Sequence, residues 1–171
     1  MNRRGDKESL LSLVEKLRAR IPDIIIRTTF ITGFPGETDD EFTTLSEFVN
    51  EAKLDRVGCF AYSREEGTPA FDLPDQVDTQ VAVDRAEAIM NQQFRISEEK
   101  MSSYIGKTVD VLIEGYDPYT DSYYGRTYMD APEIDGTITF TTNNNYETGD
   151  FADVVVIGVN DYDLIAKDIK E

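Results

Sequence analysis

The sequence contains no histidine and a single cysteine, Cys59. Without histidine it cannot build a Ser-His or Cys-His nucleophile, an H-E-x-x-H zinc site or an imidazole acid-base step. One cysteine cannot form a disulfide within the chain. Because Cys59 lies in the apolar run RVGCFAY, we predict a small buried side chain there. These absences exclude much hydrolase chemistry.

Long apolar runs are also absent from the sequence. No run reaches the roughly 18 residues of a membrane span, and the start MNRRGDKES lacks the apolar centre of a signal peptide. We therefore expect a cytoplasmic protein that does not act at a membrane.

Basic residues are scarce, with 17 Lys and Arg against 34 Asp and Glu among 171 residues, a formal net charge of −17. This charge disfavours unaided binding to a phosphate backbone and favours a basic partner. It also promotes solubility, and composition alone leaves both interpretations open. The hydrophobic content of 40% is that of a folded globular protein.

The first part of the chain has the pattern of a βαβ unit with one helix in front. Asp6 can cap an amphipathic helix that ends at Pro22, and the run DIIIRTTFIT predicts a strand buried on both faces. Thr38 and Glu41 form a T-x-x-E capping box for a second helix, and the run DRVGCFAY predicts the next strand. This order predicts a parallel sheet covered by helices.

The second part changes to the alternating pattern of strands. After a loop over residues 63–77, Asp78 can cap a long helix that ends near Tyr104. Five short alternating runs follow from Lys107: KTVDVLIEG, YYGRTYM, IDGTITF, FADVVVIGV and YDLIAKDI. They predict a small closed antiparallel barrel of the oligonucleotide-binding type. We therefore predict two domains, residues 1–103 and 104–171.

Two motifs are candidates for chemistry. FITGFPGET places glycines and a proline where a strand turns into a capped helix, a common place for a polar or anionic ligand, although a tight turn alone also explains it. It has neither the Walker nor the dinucleotide spacing. DAPEIDG places three carboxylates around Pro132 without the spacing of a calcium loop, and it lies between the second and third predicted barrel strands.

Four motifs together resemble the radical-SAM methylthiotransferases: MNRRG, RTTFITGFPGET, DRVGCFAYSREEGTPA and DAPEIDG. They cover nearly the whole chain in the same order. DAPEIDG is most similar to the members that modify an aspartate of small-subunit ribosomal protein twelve. The resemblance implies the C-terminal part of a radical-SAM (partial TIM-type) barrel followed by a five-stranded TRAM domain, in agreement with the two predicted domains.

The resemblance also implies a cofactor site for S-adenosylmethionine. Its expected residues are Arg27, Gly33, Phe34, Pro35, Gly36 and Glu37. Intact family members hold 4Fe-4S clusters on several cysteines, including a CxxxCxxC loop, and those cysteines are absent here. We therefore expect this chain to be a C-terminal piece that has no catalytic residues and no metal ligands and is inactive by itself. Sheet edges left without neighbours should make its first part self-associate.

The partner that the resemblance implies is a basic small-subunit ribosomal protein. Residues 104–171 contain 14 acidic and 4 basic residues, so their net charge of −10 makes nucleic acid an improbable ligand. The predicted contacts are Asp130, Glu133 and Asp135. The stretch GYDPYTDSYYGRTYM contains one basic residue, Arg126. We therefore predict that its tyrosine rings pack against the barrel strands and do not stack on nucleobases. Two alternatives stay open: a transfer-RNA methylthiotransferase of the same family, and a stand-alone TRAM binding module.

Overall fold

The computed structural model describes residues 5–170. The first four residues of the MNRRG motif therefore lie outside the described residues. The chain divides into two compact units, residues 1–96 and residues 97–171.

The described part of the first unit contains three α-helices and two strands in the predicted order. The elements are α1 (Lys7–Arg20), β1 (Arg27–Thr32), α2 (Asp39–Ala52), β2 (Arg56–Ala61), a short 3-10 helix (Pro69–Asp72) and α3 (Thr79–Ser102), whose last residues belong to the second unit. The predicted caps are confirmed, because Asp6 accepts from the Ser9 amide and Thr38 forms a reciprocal capping box with Glu41. Asp78 accepts from the amide of Gln80, the second residue of α3.

The two strands of the first unit are parallel neighbours, from Arg27 opposite Arg56 to Thr32 opposite Ala61. This confirms the βαβ unit. The prediction of a strand buried on both faces is wrong, because Arg27, Thr29 and Ile31 are exposed. In the described part of this unit, helices cover one face of a two-stranded sheet, and that covered face holds the core. The larger radical-SAM barrel stays a prediction.

The core of the first unit is formed by apolar side chains of all three helices and of β2. Its buried members are Val14, Phe48, Val49, Ala52, Leu54, Cys59, Ala86, Ile89 and Ile96. Cys59 is therefore the buried side chain that the sequence predicts. None of the helices in the described residues is long and apolar enough to cross a membrane.

The second unit is a closed barrel of five strands, as predicted. The strands are β3 (Thr108–Asp117), β4 (Ser122–Arg126), β5 (Ile138–Thr141), β6 (Phe151–Asn160) and β7 (Asp163–Asp168), and they close in the order β3-β4-β5-β7-β6. Inward-facing residues alternate with outward-facing ones, as in the fully buried Val154 and Val156 of β6.

The prediction of an antiparallel barrel is wrong at one pair of strands. Four neighbouring pairs are antiparallel, whereas β5 and β7 run parallel, with Ile138 opposite Leu164. The reason is parity: directions cannot alternate all the way around a closed ring of five strands, so at least one pair of neighbours must be parallel.

Asp168, at the end of β7, is a buried polar anchor of the barrel. Its carboxylate accepts hydrogen bonds from Thr142 Oγ1 (2.8 Å), Asn144 Nδ2 (3.0 Å), Tyr146 Oη (2.7 Å) and the Lys170 amide (2.8 Å). Burial raises the pKa of Asp168, but these hydrogen bonds outweigh it and lower the pKa to about 2. The ionised carboxylate thereby fixes the segment between β5 and β6.

Candidate functional site

The predicted cofactor loop, residues 33–37, begins where β1 ends and is packed against helix α3. Gly33 has a φ of +73°, and a Cβ at this position would lie 2.2 Å from Ala82 Cβ. The preceding Thr32 is buried, and its hydroxyl donates to the Ala82 carbonyl over 2.9 Å. Only glycine fits this close approach of loop and helix.

The carboxylate of Glu37 is directed back into the protein. Its Oε1 accepts from the Gly33 amide (2.9 Å) and from Arg85 Nη1 (2.7 Å). The second terminal nitrogen of Arg85 donates to Asp39 in the first turn of α2. Arg85 is only 8% exposed, so one buried guanidinium joins α3 to the end of this loop and to the first turn of α2. Glu37 therefore stabilises the conformation of the loop.

The middle of the loop is the part left open. Gly36 has a φ of +87°, and nothing lies within 4 Å of a Cβ built there. Its amide donates to the Asp75 carbonyl (2.9 Å), and the Phe34 ring contacts the Tyr62 ring edge to face, with centroids 5.3 Å apart. Phe34, Pro35 and Gly36 are thus held by their neighbours while the backbone at Gly36 stays accessible.

Arg27 is not brought to this loop. It is the first residue of β1, whereas the loop follows the last residue of that strand. Five residues of extended chain separate the two ends by about 17 Å. Its assignment to the cofactor site stays a prediction from resemblance.

The DAPEIDG segment lies between β4 and β5, where the sequence places it. Asp130 Oδ2 accepts from the Thr127 amide (3.1 Å) and hydroxyl (2.8 Å), and Asp135 Oδ2 accepts from the Ala131 amide (2.7 Å). These two carboxylates therefore shape their own turn. Glu133, at a φ of +60°, is exposed and faces solvent at the tip of the segment.

Among the described residues, no group of three or more His, Cys, Asp or Glu side chains is arranged to hold a metal ion. Cys59 is buried, and its burial raises the pKa of the thiol. A protonated, enclosed thiol is a poor metal ligand. The ligands for a metal centre are therefore not found in the described part of the chain.

Comparison with known proteins gives one match to the barrel and other matches over nearly the whole chain. The TRAM domain family matches residues 105–169, which contain the closed barrel. Over 171 residues the chain is 43% identical to ribosomal protein uS12 methylthiotransferase RimO of Acetivibrio thermocellus, and it is 48% identical over 170 residues to the RimO of Pelotomaculum thermopropionicum. The RimO of Clostridioides difficile is 47% identical over 166 residues.

The chain belongs to the RimO family. All of it is covered in the first of these alignments, and 99% and 96% in the other two. The methylthiotransferase resemblance seen in the motifs is thereby confirmed. The chain spans 37 to 38% of the length of these RimO relatives, so the match alone does not assign the activity of a complete RimO to this chain.

Proposed function

We propose that this chain is the C-terminal part of a radical-SAM methylthiotransferase that modifies an aspartate of ribosomal protein uS12. The proposal rests on the alignment of the chain, including its TRAM domain, with ribosomal protein uS12 methylthiotransferases RimO at 43 to 48% identity. In the complete enzyme, residues 1–103 would belong to the radical-SAM barrel and residues 104–171 to the TRAM domain.

The cofactor loop suits one of the two groups that this reaction needs. S-adenosylmethionine, when bound, supplies the radical and the methyl group. The accessible backbone at Gly36 would contact it, and Glu37 and Arg85 fix the loop in which Gly36 lies. The residues here do not fit a 4Fe-4S cluster, since one buried cysteine cannot supply the several thiolates such a cluster needs. We therefore expect no turnover by this chain alone.

The TRAM unit would recognise the protein substrate through its negative charge. With a net charge of −10 over residues 104–171, it attracts a basic ribosomal protein and repels RNA. Of the three predicted contacts, Glu133 is the exposed one, while Asp130 and Asp135 hold the turn that presents it. Such charge complementarity mainly raises the association rate and the specificity.

The test is a titration of this chain with uS12 and with transfer RNA at the same salt concentration, followed by calorimetry. We expect tighter binding of uS12, weakened by Glu133→Lys. Glu147→Lys, which makes the same charge change at another exposed site of this unit, should have a smaller effect. Tighter binding of transfer RNA would instead favour a transfer-RNA methylthiotransferase. Binding of neither would refute the recognition role.

A further inference from the structure

A groove on the outer surface of the barrel has the size of a ligand site. Its volume is about 460 Å³, and it is lined by residues from the end of β3, the β3–β4 turn, β4, β5 and the position just before β5: Asp117, Thr120, Ser122, Tyr124, Thr137 and Thr139. Ligand clefts in proteins usually enclose about 300 to 1,000 Å³. Thr137 directly follows the DAPEIDG segment, so the groove begins where that segment ends.

The lining consists of five hydroxyl groups and one carboxylate, and it includes no basic residue. Asp117 Oδ1 accepts from the Tyr119 amide (2.9 Å), and Oδ2 accepts from Thr120 Oγ1 (2.8 Å). These bonds lower the pKa of Asp117, which is therefore ionised at neutral pH. Each oxygen keeps a second lone pair for a donor from a ligand.

Tyr124 contributes an aromatic surface to the same groove. A Cβ at Gly115, its neighbour on β3, would lie 2.4 Å from Tyr124 Oη and 2.9 Å from Cε1. The ring therefore lies along the sheet over Gly115 instead of projecting from it. It is 39% exposed, beside its cross-strand partner Thr139. An accessible aromatic ring close to a carboxylate is a favourable site for an organic cation.

The surroundings of the groove reinforce this preference. Asp163 Oδ1 accepts from the Thr137 amide (2.7 Å), and Asp121 lies in the β3–β4 turn. Arg126, further along β4, is paired with Glu114 over 2.8 Å. A phosphate backbone would meet carboxylates here, whereas a cationic side chain would meet acceptors and an aromatic ring.

We propose that this groove binds a lysine or arginine side chain on an extended segment of a basic protein. The proposal rests on the proposed function, in which the substrate is a basic ribosomal protein, and it assigns a binding role to residues outside DAPEIDG. The hydroxyl groups of Thr120, Ser122, Thr137 and Thr139 would bond the polar backbone of the bound segment, while Asp117 and Tyr124 bind its charge.

The experiment uses the full 171-residue chain, labelled with ¹⁵N, and an amidated peptide of alternating lysine and glycine. We expect shifts of the amide signals of Asp117, Tyr124 and Thr139, and no such shifts with the same peptide carrying acetylated lysines. Asp117→Asn and Tyr124→Leu should each weaken binding of this peptide and of uS12 about three- to tenfold. Asp110→Asn, with the same change in charge at an exposed position on β3, should change both affinities much less.

The outcomes separate this proposal from the broader one. If uS12 binds but Asp117→Asn and Tyr124→Leu leave its affinity unchanged, the groove proposal is wrong and the recognition role of the TRAM unit stands. If the wild-type chain binds neither the peptide nor uS12, the recognition role itself fails. If a single-stranded RNA shifts the same groove signals more strongly than the peptide does, the groove selects nucleic acid and the proposal is overturned.

Discussion

The two units of this chain differ in whether the edges of their strands are paired. In the barrel each of the five strands pairs with a neighbour on both sides. In the described part of the first unit, β1 and β2 pair only with each other, so each strand has one edge without a strand partner. A closed barrel satisfies its backbone groups within the chain, whereas an open edge can pair with another chain.

Exposed apolar side chains alone do not distinguish the two units. Phe60 on β2 and Phe151 on β6 are both 62% exposed. What differs is the strand beneath the side chain, which is at an open edge for Phe60 and paired on both sides for Phe151. We therefore predict that an unpaired strand edge, rather than an exposed apolar side chain, determines where this chain associates with a second copy.

Among the described residues, each unit contains a buried charged side chain that bonds distant parts of the chain, and the largest predicted effect concerns Asp168 in the barrel. Asp168 is 3% exposed and accepts four hydrogen bonds. Asp168→Asn removes the charge and places an amide among donors, so we expect a loss of about 2 to 3 kcal/mol in the free energy of unfolding of the barrel at neutral pH. Urea unfolding followed by tyrosine fluorescence measures it.

The loss of stability caused by Asp168→Asn should depend on pH in a defined direction. The pKa of Asp168 is lowered from 3.8 to about 2 in the folded barrel, so its stabilisation is present above about pH 4 and is lost as the pH falls towards 2. The difference between wild type and variant should shrink over that window. Asp153→Asn, at an exposed position on β6, is the control and should change stability by less than about 0.5 kcal/mol. Equal losses in both variants would contradict the anchor role.

The second prediction concerns the ionic anchor of the first unit, Arg85. Arg85→Met would leave the carboxylate of Glu37, 14% exposed, without its cationic partner. We expect the first unit to lose about 2 kcal/mol and the Gly33 amide to exchange faster with solvent, because Glu37 accepts its hydrogen. Urea unfolding and hydrogen exchange monitored by NMR measure the two effects.

Lys7 provides a matched comparison within the same unit. It also pairs with two carboxylates, Glu47 and Glu51, but these are 58% and 52% exposed. Lys7→Met should therefore destabilise the first unit much less than Arg85→Met does, and it should leave the exchange of the Gly33 amide unchanged. Arg85→Lys should restore part of the protection. If Lys7→Met and Arg85→Met prove equally costly, burial of the pair is not what makes it strong.

The features that could be predicted from the sequence are those with local causes. Asp6, Thr38 and Asp78 each bond to amides two or three residues onward, so the capping residues alone indicate where the helices begin. The barrel strands follow from alternation over a few residues. A closed ring of five strands requires at least one parallel pair, but alternation within each strand does not indicate that this pair is β5–β7.

The site residues that were missed have distant partners. Arg85 and Glu37 are 48 positions apart, and Asp168 bonds to residues 22 to 26 positions away. No local pattern distinguishes these charges from those of a solvated surface. Asp130 is the opposite case, because its partner Thr127 is three positions away. A turn motif there could have been predicted, and with it the internal role of that carboxylate.

The last prediction concerns the unpaired edges of β1 and β2, and its expected effect on the free energy of unfolding is the smallest. We expect this chain to self-associate at high concentration through β1 and β2, because each has an unpaired edge in the described part of the first unit. Phe60→Lys should weaken the association, since a charged side chain opposes pairing with a second chain, and should change stability by about 1 kcal/mol or less. Phe151→Lys changes an equally exposed ring on a strand paired on both sides, so it should leave the association intact. Sedimentation at several concentrations measures both variants. A wild-type chain that stays monomeric throughout, or equal effects of the two lysines, would mean that the edges of β1 and β2 do not govern association.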